Sequence, residues 1–312
     1  MTRIAAIDVG SLTVRLAVAE AAGPGRFQVL AHRREITGLG RGFKEGGCLD
    51  PDAVSRTLAA LREFGREMAS MGVNEARAVA TQAVRQAKDG QEFLVRAGEA
   101  LGAPVHLISP AEEARLTLIG VLSALDPEIL AHGPVVVFDV GGGSSEFVLL
   151  RPGEEPFFAG LPLGVLSASE AQPVGDPPEP ERVSALSGSI AHQVKKFYKK
   201  NFTTFLAGPP VLVGTAGAVT TLAAMDQEMR EYDPQRVNNY RLGRDRLENL
   251  AARLAALPEA ERAKLPGIEP AKAGVMVAGA FIVLSILQVF GRDYLVSIDA
   301  GLLEGLLAEM AL

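Results

Sequence analysis

"VVVFDVGGGSSEFVLL", Val135 to Leu150, sets three consecutive glycines between two apolar runs, with Asp139 before them and Glu146 just after. The two runs read as the arms of a buried β-hairpin. Glycine weakens a strand interior, so a hairpin that concentrates glycine at its tip needs something that fits there. The layout recurs upstream. "RIAAIDVGSLTVRLAVAE", Arg3 to Glu20, again runs from an apolar strand through Asp-Val-Gly and a hydroxyl residue into a second apolar strand. Asp8 and Asp139 therefore stand in equivalent places.

From each hairpin outward the chain alternates strands and helices. After a third strand in "RFQVLAHRREITGLG", apolar residues at helical spacing run from Asp50 to Gly72. "ARAVAT" is a strand, "QAVRQAKDGQEFLVRAGEALG" is mostly helix, "PVHLIS" is a strand, and "PAEEARLTLIGVLSAL" is a helix opened by proline. The second half follows its hairpin with a strand in "EPFFAGLPLG", a Pro-rich acidic loop at 170–181, and a helix through Asn201. It goes on with strand, Gly-rich turn and helix in "PPVLVGTAGAVTTLAAM", a helix broken near Pro258, an apolar helix from Ala273, and a last strand and helix. This order predicts two α/β domains of mixed sheets flanked by helices, at 1–127 and 128–312, with a boundary near Leu125 to His132. The last helix, about 300–312, is expected to pack back on the first domain, and a ligand to sit in a cleft between the two.

Composition describes an ordinary globular chain: 312 residues, 48% hydrophobic, 22% charged. The lone Cys48 excludes an internal disulfide and fits a reducing compartment, so a cytoplasmic protein is expected. Asp8 interrupts what a signal peptide would need as an apolar core. "AGVMVAGAFIVLSILQVF" reads as a buried helix and not a membrane span, since it is short, stands alone and carries Gln288. A net charge of −6 offers no general attraction to nucleic acid or other polyanions, so cations for a phosphate ligand must be gathered locally.

Consecutive glycines let successive amides converge into a nest for phosphate oxygens, so Gly141, Gly142 and Gly143 are candidate phosphate binders, with Ser144 and Ser145 as further donors. Asp139 at the strand end is a hard oxygen ligand suited to Mg²⁺. The structural alternative is a tight hairpin with a glycine bulge; one glycine would favour it, three with two carboxylates do not. In "DVGSLTVR", Asp8 pairs with Asp139 as a metal candidate, Ser11 is a phosphate donor, and Arg15 could grip phosphate bidentately, although a lone arginine is more often a solvated one. "LVGTAGAVTT" places Gly214, Thr215 and Gly217 at a strand–turn–helix corner of the anion-binding kind, and reads equally as a structural turn. In "ATQAVRQA", Thr81 reads as an N-cap and Arg85 as a surface residue. Glu112 and Glu113 fit the helix dipole without any catalysis. "KKFYKK", Lys195 to Lys200, reads as a solvated face that could also guide a polyanion. The four histidines show no metal spacing.

Together "AAIDVGSLTVRL", "ATQAVRQA", "ISPAEEARLTLIGV", "VVVFDVGGGSSEFVL", "VGTAGAVTTLAA" and "LVSIDAGLLEGLL" resemble the Ppx/GppA family over nearly the whole chain. The resemblance implies two actin-like domains of the ribonuclease H-like, sugar kinase and Hsp70 type. It also implies dependence on Mg²⁺ (or Mn²⁺) and removal of the terminal phosphate from polyphosphate or pppGpp. It assigns Glu113 as the catalytic glutamate, Glu146 as its assistant, and Arg15 and Arg85 as phosphate contacts. The chain matches the short form of the family, which ends after the last motif. It departs from the pattern at Leu12 (Asn in the family), at Pro110-Ala111, at Lys272-Ala273-Gly274 (Arg-Ala-Asp) and at Leu303 (Arg). Polyphosphate or a guanosine penta- or tetraphosphate is thus the expected partner, and a homodimer would follow the commonest symmetry. A phosphotransferase of the same fold and a catalytically weak (p)ppGpp- or polyphosphate-binding regulator are the competing readings.

Overall fold

The computed structural model describes residues 2–42, 47–131, 133–206 and 208–312, so His132 at the edge of the expected boundary lies outside the described residues. In chain order the first elements are β1 (Arg3–Val9), β2 (Thr13–Gly23), β3 (Arg26–Ile36), α1 (Pro51–Ser70), β4 (Glu75–Ala80), α2 (Gln82–Gln86), α3 (Gly90–Leu101), β5 (Val105–Leu107) and α4 (Pro110–Ala124). Next come α5 (Pro127–Leu130), β6 (Val135–Val140), β7 (Ser145–Leu150), β8 (Phe157–Leu161), α6 (Val165–Ala171), α7 (Pro180–Asn201), β9 (Val211–Thr215) and α8 (Ala216–Asp226). The last are α9 (Pro234–Val237), β10 (Tyr240–Gly243), α10 (Arg244–Ala256), α11 (Glu259–Arg262), α12 (Met276–Val289), β11 (Tyr294–Ser297) and α13 (Leu302–Met310). The chain forms two compact units, residues 1–123 with 300–312, and residues 124–299.

The first unit holds a five-stranded sheet in the order β3-β2-β1-β4-β5. The β1–β2 and β2–β3 pairs are antiparallel; β1–β4 and β4–β5 are parallel. Side chains alternate across a strand, and β1 is buried on both faces because each face has its own helices. Ala5, Ile7 and Val9 pack with Leu58, Leu61 and Phe64 of α1 and Phe93 of α3. Ile4 and Ala6 pack with Leu116 of α4 and Leu302, Leu303, Leu306 and Leu307 of α13. Asp50 caps α1 by accepting from the Ala53 amide at 2.8 Å, with Pro51 at the first helical position, where no amide is needed. Helices α4 and α13 cross backbone to backbone. A Cβ on Gly120 would sit 1.9 Å from the Gly301 carbonyl oxygen, and one on Gly305 would sit 1.9 Å from that of Leu116.

The second unit holds a six-stranded sheet, β10-β11-β9-β6-β7-β8. Read from β8, its first five strands repeat the arrangement of the first sheet: two antiparallel pairs, then two parallel ones. The sixth, β10, is an antiparallel edge strand that the sequence pattern does not announce. Phe147 of β7 lies 4.7 Å from Phe197 of α7, ring centre to ring centre, and Phe202 lies 5.2 Å from Phe290 after α12. The apolar run from Ala273 becomes the buried α12, packed against α7 and α10, and at 14 residues it covers about 21 Å, short of a bilayer core. No helix among the described residues is long and apolar enough to cross a membrane.

Two refinements concern local order. The helix expected across 82–102 divides at Ala87, whose extended backbone ends α2. The acidic loop at 170–181 is shorter than expected, because Pro180 already opens α7.

The α4–α13 crossing generates a stability prediction. Gly305→Ala forces apart two backbones and should destabilise by at least the ~1–3 kcal/mol typical of overpacking. Gly188→Ala, on the exposed face of α7 with open space around it, should instead stabilise by ~0.5–1 kcal/mol. Urea midpoints of the two variants moving in the same direction would contradict this packing.

Candidate functional site

In the first unit the site residues gather at the carboxyl ends of the parallel strands, where open α/β sheets bind ligands. The Thr81 amide bonds the Val9 carbonyl at 3.3 Å, and the Ile108 amide bonds the Ala80 carbonyl at 3.2 Å, so the ends of β1, β4 and β5 are level. The β1–β2 turn is closed by the Gly10 amide on the Thr13 carbonyl at 3.0 Å. Asp8 then stands opposite Arg15 in register, and cross-strand partners share a face. Arg15 Nε and Nη2 donate to Asp8 Oδ2 at 3.0 and 2.6 Å. Asp8 is buried, and its Oδ1 accepts no hydrogen bond among the described residues.

The two adjacent glutamates of α4 separate cleanly. Ser109 Oγ accepts from the Glu112 amide at 3.2 Å and begins the helix, with Pro110 inside its first turn. Glu112 is taken up by an ion cluster. Arg115 Nε and Nη2 reach its two oxygens at 2.9 Å each, and Arg77 approaches at 3.5 Å. The same two arginines hold Glu309 of α13, at 2.5 Å from Arg115 and 2.6 Å from Arg77. Bonding to Arg115 holds the Glu112 and Glu309 carboxyls below their usual range and raises Arg115. Glu113 instead has its Oε2 3.5 Å from Arg85 Nη1, and that same nitrogen donates to the Ile108 carbonyl at 2.8 Å.

In the second unit the Gly141 amide bonds the Ser144 carbonyl at 3.0 Å, the counterpart of the Gly10–Thr13 turn. Asp139 stands opposite Glu146 in register, where the first unit has Asp8 opposite Arg15. Ser144 Oγ donates to Glu146 Oε1 at 2.6 Å. Ser145 turns inward, its hydroxyl donating to the Leu163 carbonyl at 2.6 Å, and it is wholly buried, which leaves its side chain a structural task.

None of Gly141, Gly142 and Gly143 has a left-handed φ. A Cβ on Gly141 would meet the Ser144 carbonyl oxygen at 3.2 Å, and one on Gly164 would fall 2.5 Å from the Gly142 carbonyl and the Gly143 amide nitrogen, so the loop and the start of α6 pack backbone to backbone. The amides of Val165, Leu166 and Ser167 at the start of α6 bond the carbonyls of Gly141 and Gly142 at 2.8–3.1 Å. Ser167 Oγ donates to the Gly143 carbonyl at 3.0 Å. With its carbonyls so occupied, the loop keeps the Gly142 and Gly143 amides without a protein acceptor among the described residues.

Thr215 is buried and registers with Asp139 across β6–β9. It precedes Ala216, whose φ of 67° is left-handed without glycine, a strain of ~1–3 kcal/mol that tends to mark functional turns. The sequence reading missed two charged groups. Lys272 is buried, with its Nζ 3.3 Å from Glu269 and 3.3 Å from where a Cβ on Gly217 would be, so an ammonium stands at the first turn of α8. Its signal was the family's arginine position. Glu304 bonds the Gly301 amide at 2.7 Å in the first turn of α13. Burial pushes its carboxyl above the usual range, opposed by the Gly301 amide and by Arg15. "GLLEG", a glutamate three residues after a helix-start glycine, carried that signal.

The donors fit a divalent cation of the Mg²⁺ kind. Asp8 keeps a buried oxygen without a hydrogen bond, and Asp139 and Glu146 are like charges in register, an arrangement that a cation stabilises. No group of three or more His, Cys, Asp or Glu converges among the described residues. Mg²⁺ commonly takes one or two carboxylates and fills its remaining positions with phosphate and water.

Two sheets of one design, each presenting charged side chains at the carboxyl ends of its parallel strands, define a duplicated α/β protein of the actin-like class. The sequence model described as the Ppx/GppA phosphatase family matches residues 17–312, and the chain belongs to that family. It is similar to "Exopolyphosphatase 2" of Mycobacterium tuberculosis, 31% identical with 100% of this chain and 99% of that protein covered. Among solved structures it is similar to the Aquifex aeolicus member of the Ppx/GppA family, with a TM-score of 0.80, 32% identity, and 99% and 97% of the two chains covered. An exopolyphosphatase from Cytophaga hutchinsonii gives a TM-score of 0.88 at 25% identity, with 99% and 98% covered.

Glu304 yields a prediction with a definite sign. A carboxyl raised by folding binds its proton more tightly in the native state, so its contribution to stability is full below its unfolded value of 4.5 and is lost as pH rises through the folded value. Glu304→Gln keeps the acceptor for Gly301 and removes that loss. Its melting temperature should match the wild type near pH 4.5 and exceed it near pH 8. Equal melting curves at both pH values would refute the raised carboxyl.

Proposed function

We propose that the chain is an exopolyphosphatase that removes the terminal phosphate of inorganic polyphosphate, with pppGpp as a second substrate. The observation that carries the reading is the position of Glu113, kept out of the ion cluster that consumes Glu112 and set beside Arg85 at the end of β5. Similarity to a protein named exopolyphosphatase over its whole length favours polyphosphate.

Glu113 orients a water molecule and accepts its proton as the water oxygen attacks the terminal phosphorus. The anhydride P–O bond breaks, and the shortened chain leaves with orthophosphate as the other product. Glu146, set by the Ser144 hydroxyl, assists through water. The Gly142 and Gly143 amides, the corner at Gly214, Thr215 and Gly217, and Ser11 hold phosphate oxygens. Arg85 and Arg15 counter the developing negative charge, Arg15 after exchanging part of its bond to Asp8. Mg²⁺, held by Asp139 in the second unit or by Asp8 in the first, would supply charge neutralisation on the phosphates. Such reactions depend mainly on positioning and charge.

The second reading, a weakly catalytic binding protein, is favoured by two residues. Pro110 removes an amide from the first turn of α4, and Leu12 is a buried side chain with no donor where the family has a polar one. One assay separates the two. The wild type should release phosphate from polyphosphate, and chelation of divalent cations should abolish that release. Glu113→Gln should bind polyphosphate as tightly and turn over ~10²–10⁴-fold more slowly. Wild-type turnover in Glu113→Gln would remove this glutamate from the mechanism, and a wild type that binds without releasing phosphate would favour the second reading.

A further inference from the structure

Helix α7 buries Leu186, Ile190, Val194 and Phe197 on one side. At about 100° per residue, Lys195, Lys196, Lys199 and Lys200 fall within an arc of about 140° on the opposite side, with His192 inside it. All five are exposed. Lys264 and Lys272 each have a glutamate within reach, but among the described residues none of the four α7 lysines has a carboxylate within 4.0 Å. Compensation of the helix dipole accounts for Lys199 and Lys200 in the last turn and leaves Lys195 and Lys196 unexplained. Four adjacent uncompensated cations repel one another, and they do so in a chain of net charge −6.

We propose that this face of α7 is a docking surface for polyphosphate, holding a stretch of the chain remote from the phosphate being cleaved. The inference takes its ligand from the proposed function. Aromatic placement favours polyphosphate over single-stranded nucleic acid, whose bases need exposed rings to stack on. Tyr198 is packed against Phe202 and Phe290 and Phe197 is buried, while Phe205, 37% exposed, lies beyond the end of α7 with the Arg151 guanidinium 5.0 Å from its ring centre. The face therefore offers charge without a stacking platform, which suits a polyanion that has no bases. Lysine provides point charges on flexible stems, tolerant of a phosphate chain in any register. A long chain brings many phosphates to such a face and a short one few, so chain length should decide whether the lysines matter.

The test measures binding without turnover, on the full chain with divalent cations chelated. The probes are end-labelled polyphosphate of about 100 phosphates, and tripolyphosphate as a competitor. The wild type is compared with Lys195→Gln/Lys196→Gln/Lys199→Gln/Lys200→Gln, whose substitutions are all at exposed positions and should leave the melting temperature unchanged. The variant should bind the long chain at least tenfold more weakly, with a salt dependence shallower by about three ions, and bind tripolyphosphate as before. Equal affinity of both proteins for the long chain would overturn the proposal. So would an oligothymidylate that binds the wild type as tightly as polyphosphate does and with the same dependence on the lysines. Phosphate release is scored separately, so a protein that docks the long chain yet fails to hydrolyse it would count against the proposed function alone.

Discussion

One backbone hydrogen bond per unit, from the Gly10 amide to the Thr13 carbonyl and from the Gly141 amide to the Ser144 carbonyl, sets the chemistry of the molecule. Closing the hairpin at that residue fixes the register, and a slip of one residue would move every side chain of the second strand to the other face. The register places the residue seven positions after each aspartate directly opposite it. In the first unit that residue is Arg15 and the result is an ion pair; in the second it is Glu146 and the result is two facing carboxylates. The same turn thus sets unlike charges opposite each other in one unit and like charges in the other. The second unit's loop also carries the Gly142 and Gly143 amides, which have no protein acceptor among the described residues.

Close approach of backbones gives several glycines their value, whereas at Gly274 the close neighbour is a side chain. A Cβ at Gly274 would lie 3.0 and 3.1 Å from the two carboxylate oxygens of Glu259, so an aspartate there would crowd one acid against another. The Glu259 amide is held by Asp176 Oδ1 at 2.7 Å, and the buried Arg262 next along α11 bonds the carbonyls of Leu257 and Ala273. Those bonds fix the segment that presents Lys272 beside Gly217. Lys272 in place of arginine keeps a cation there as a compact ammonium instead of a planar fork.

Much of this was legible from residue pattern alone. Continuous apolar runs around Asp-Val-Gly marked both hairpins, and Pro at the start of α1 and α4 marked their helices. The order of elements carried the fold class, since strand alternation with helices leaves few topologies. What stayed hidden arises from packing over distance. The strand β10 has four residues with Leu242 alone buried, too few to show a period, and it exists because β11 offers it an edge. Lys272 lies in a stretch rich in Pro and Gly that reads as loop, and its burial comes from α8. At the glycine loop the residue pattern marked three glycines, and what it did not show is that the missing side chain of Gly164 lets the start of α6 pack on the loop's backbone, with none of the three at a left-handed φ.

The separation of Glu112 from Glu113 shows how far a sequence reading can go before geometry must decide. Both sit in the first turn of α4, where the dipole welcomes either one. Successive helical residues point about 100° apart, so only one of the two can face α13. Glu112 does, and Arg77 and Arg115 hold it there together with Glu309, locking the helix start to β4 and α13. That lock leaves Glu113 turned toward Arg85, whose guanidinium is itself tied to the Ile108 carbonyl at the end of the neighbouring strand. A glutamate held by two arginines is a poor base, because both cations favour its charged, proton-free form too strongly. Glu113 thus lies 3.5 Å from an anchored guanidinium and outside the cluster that locks Glu112, a difference between two adjacent glutamates that only the packing of the helix decides.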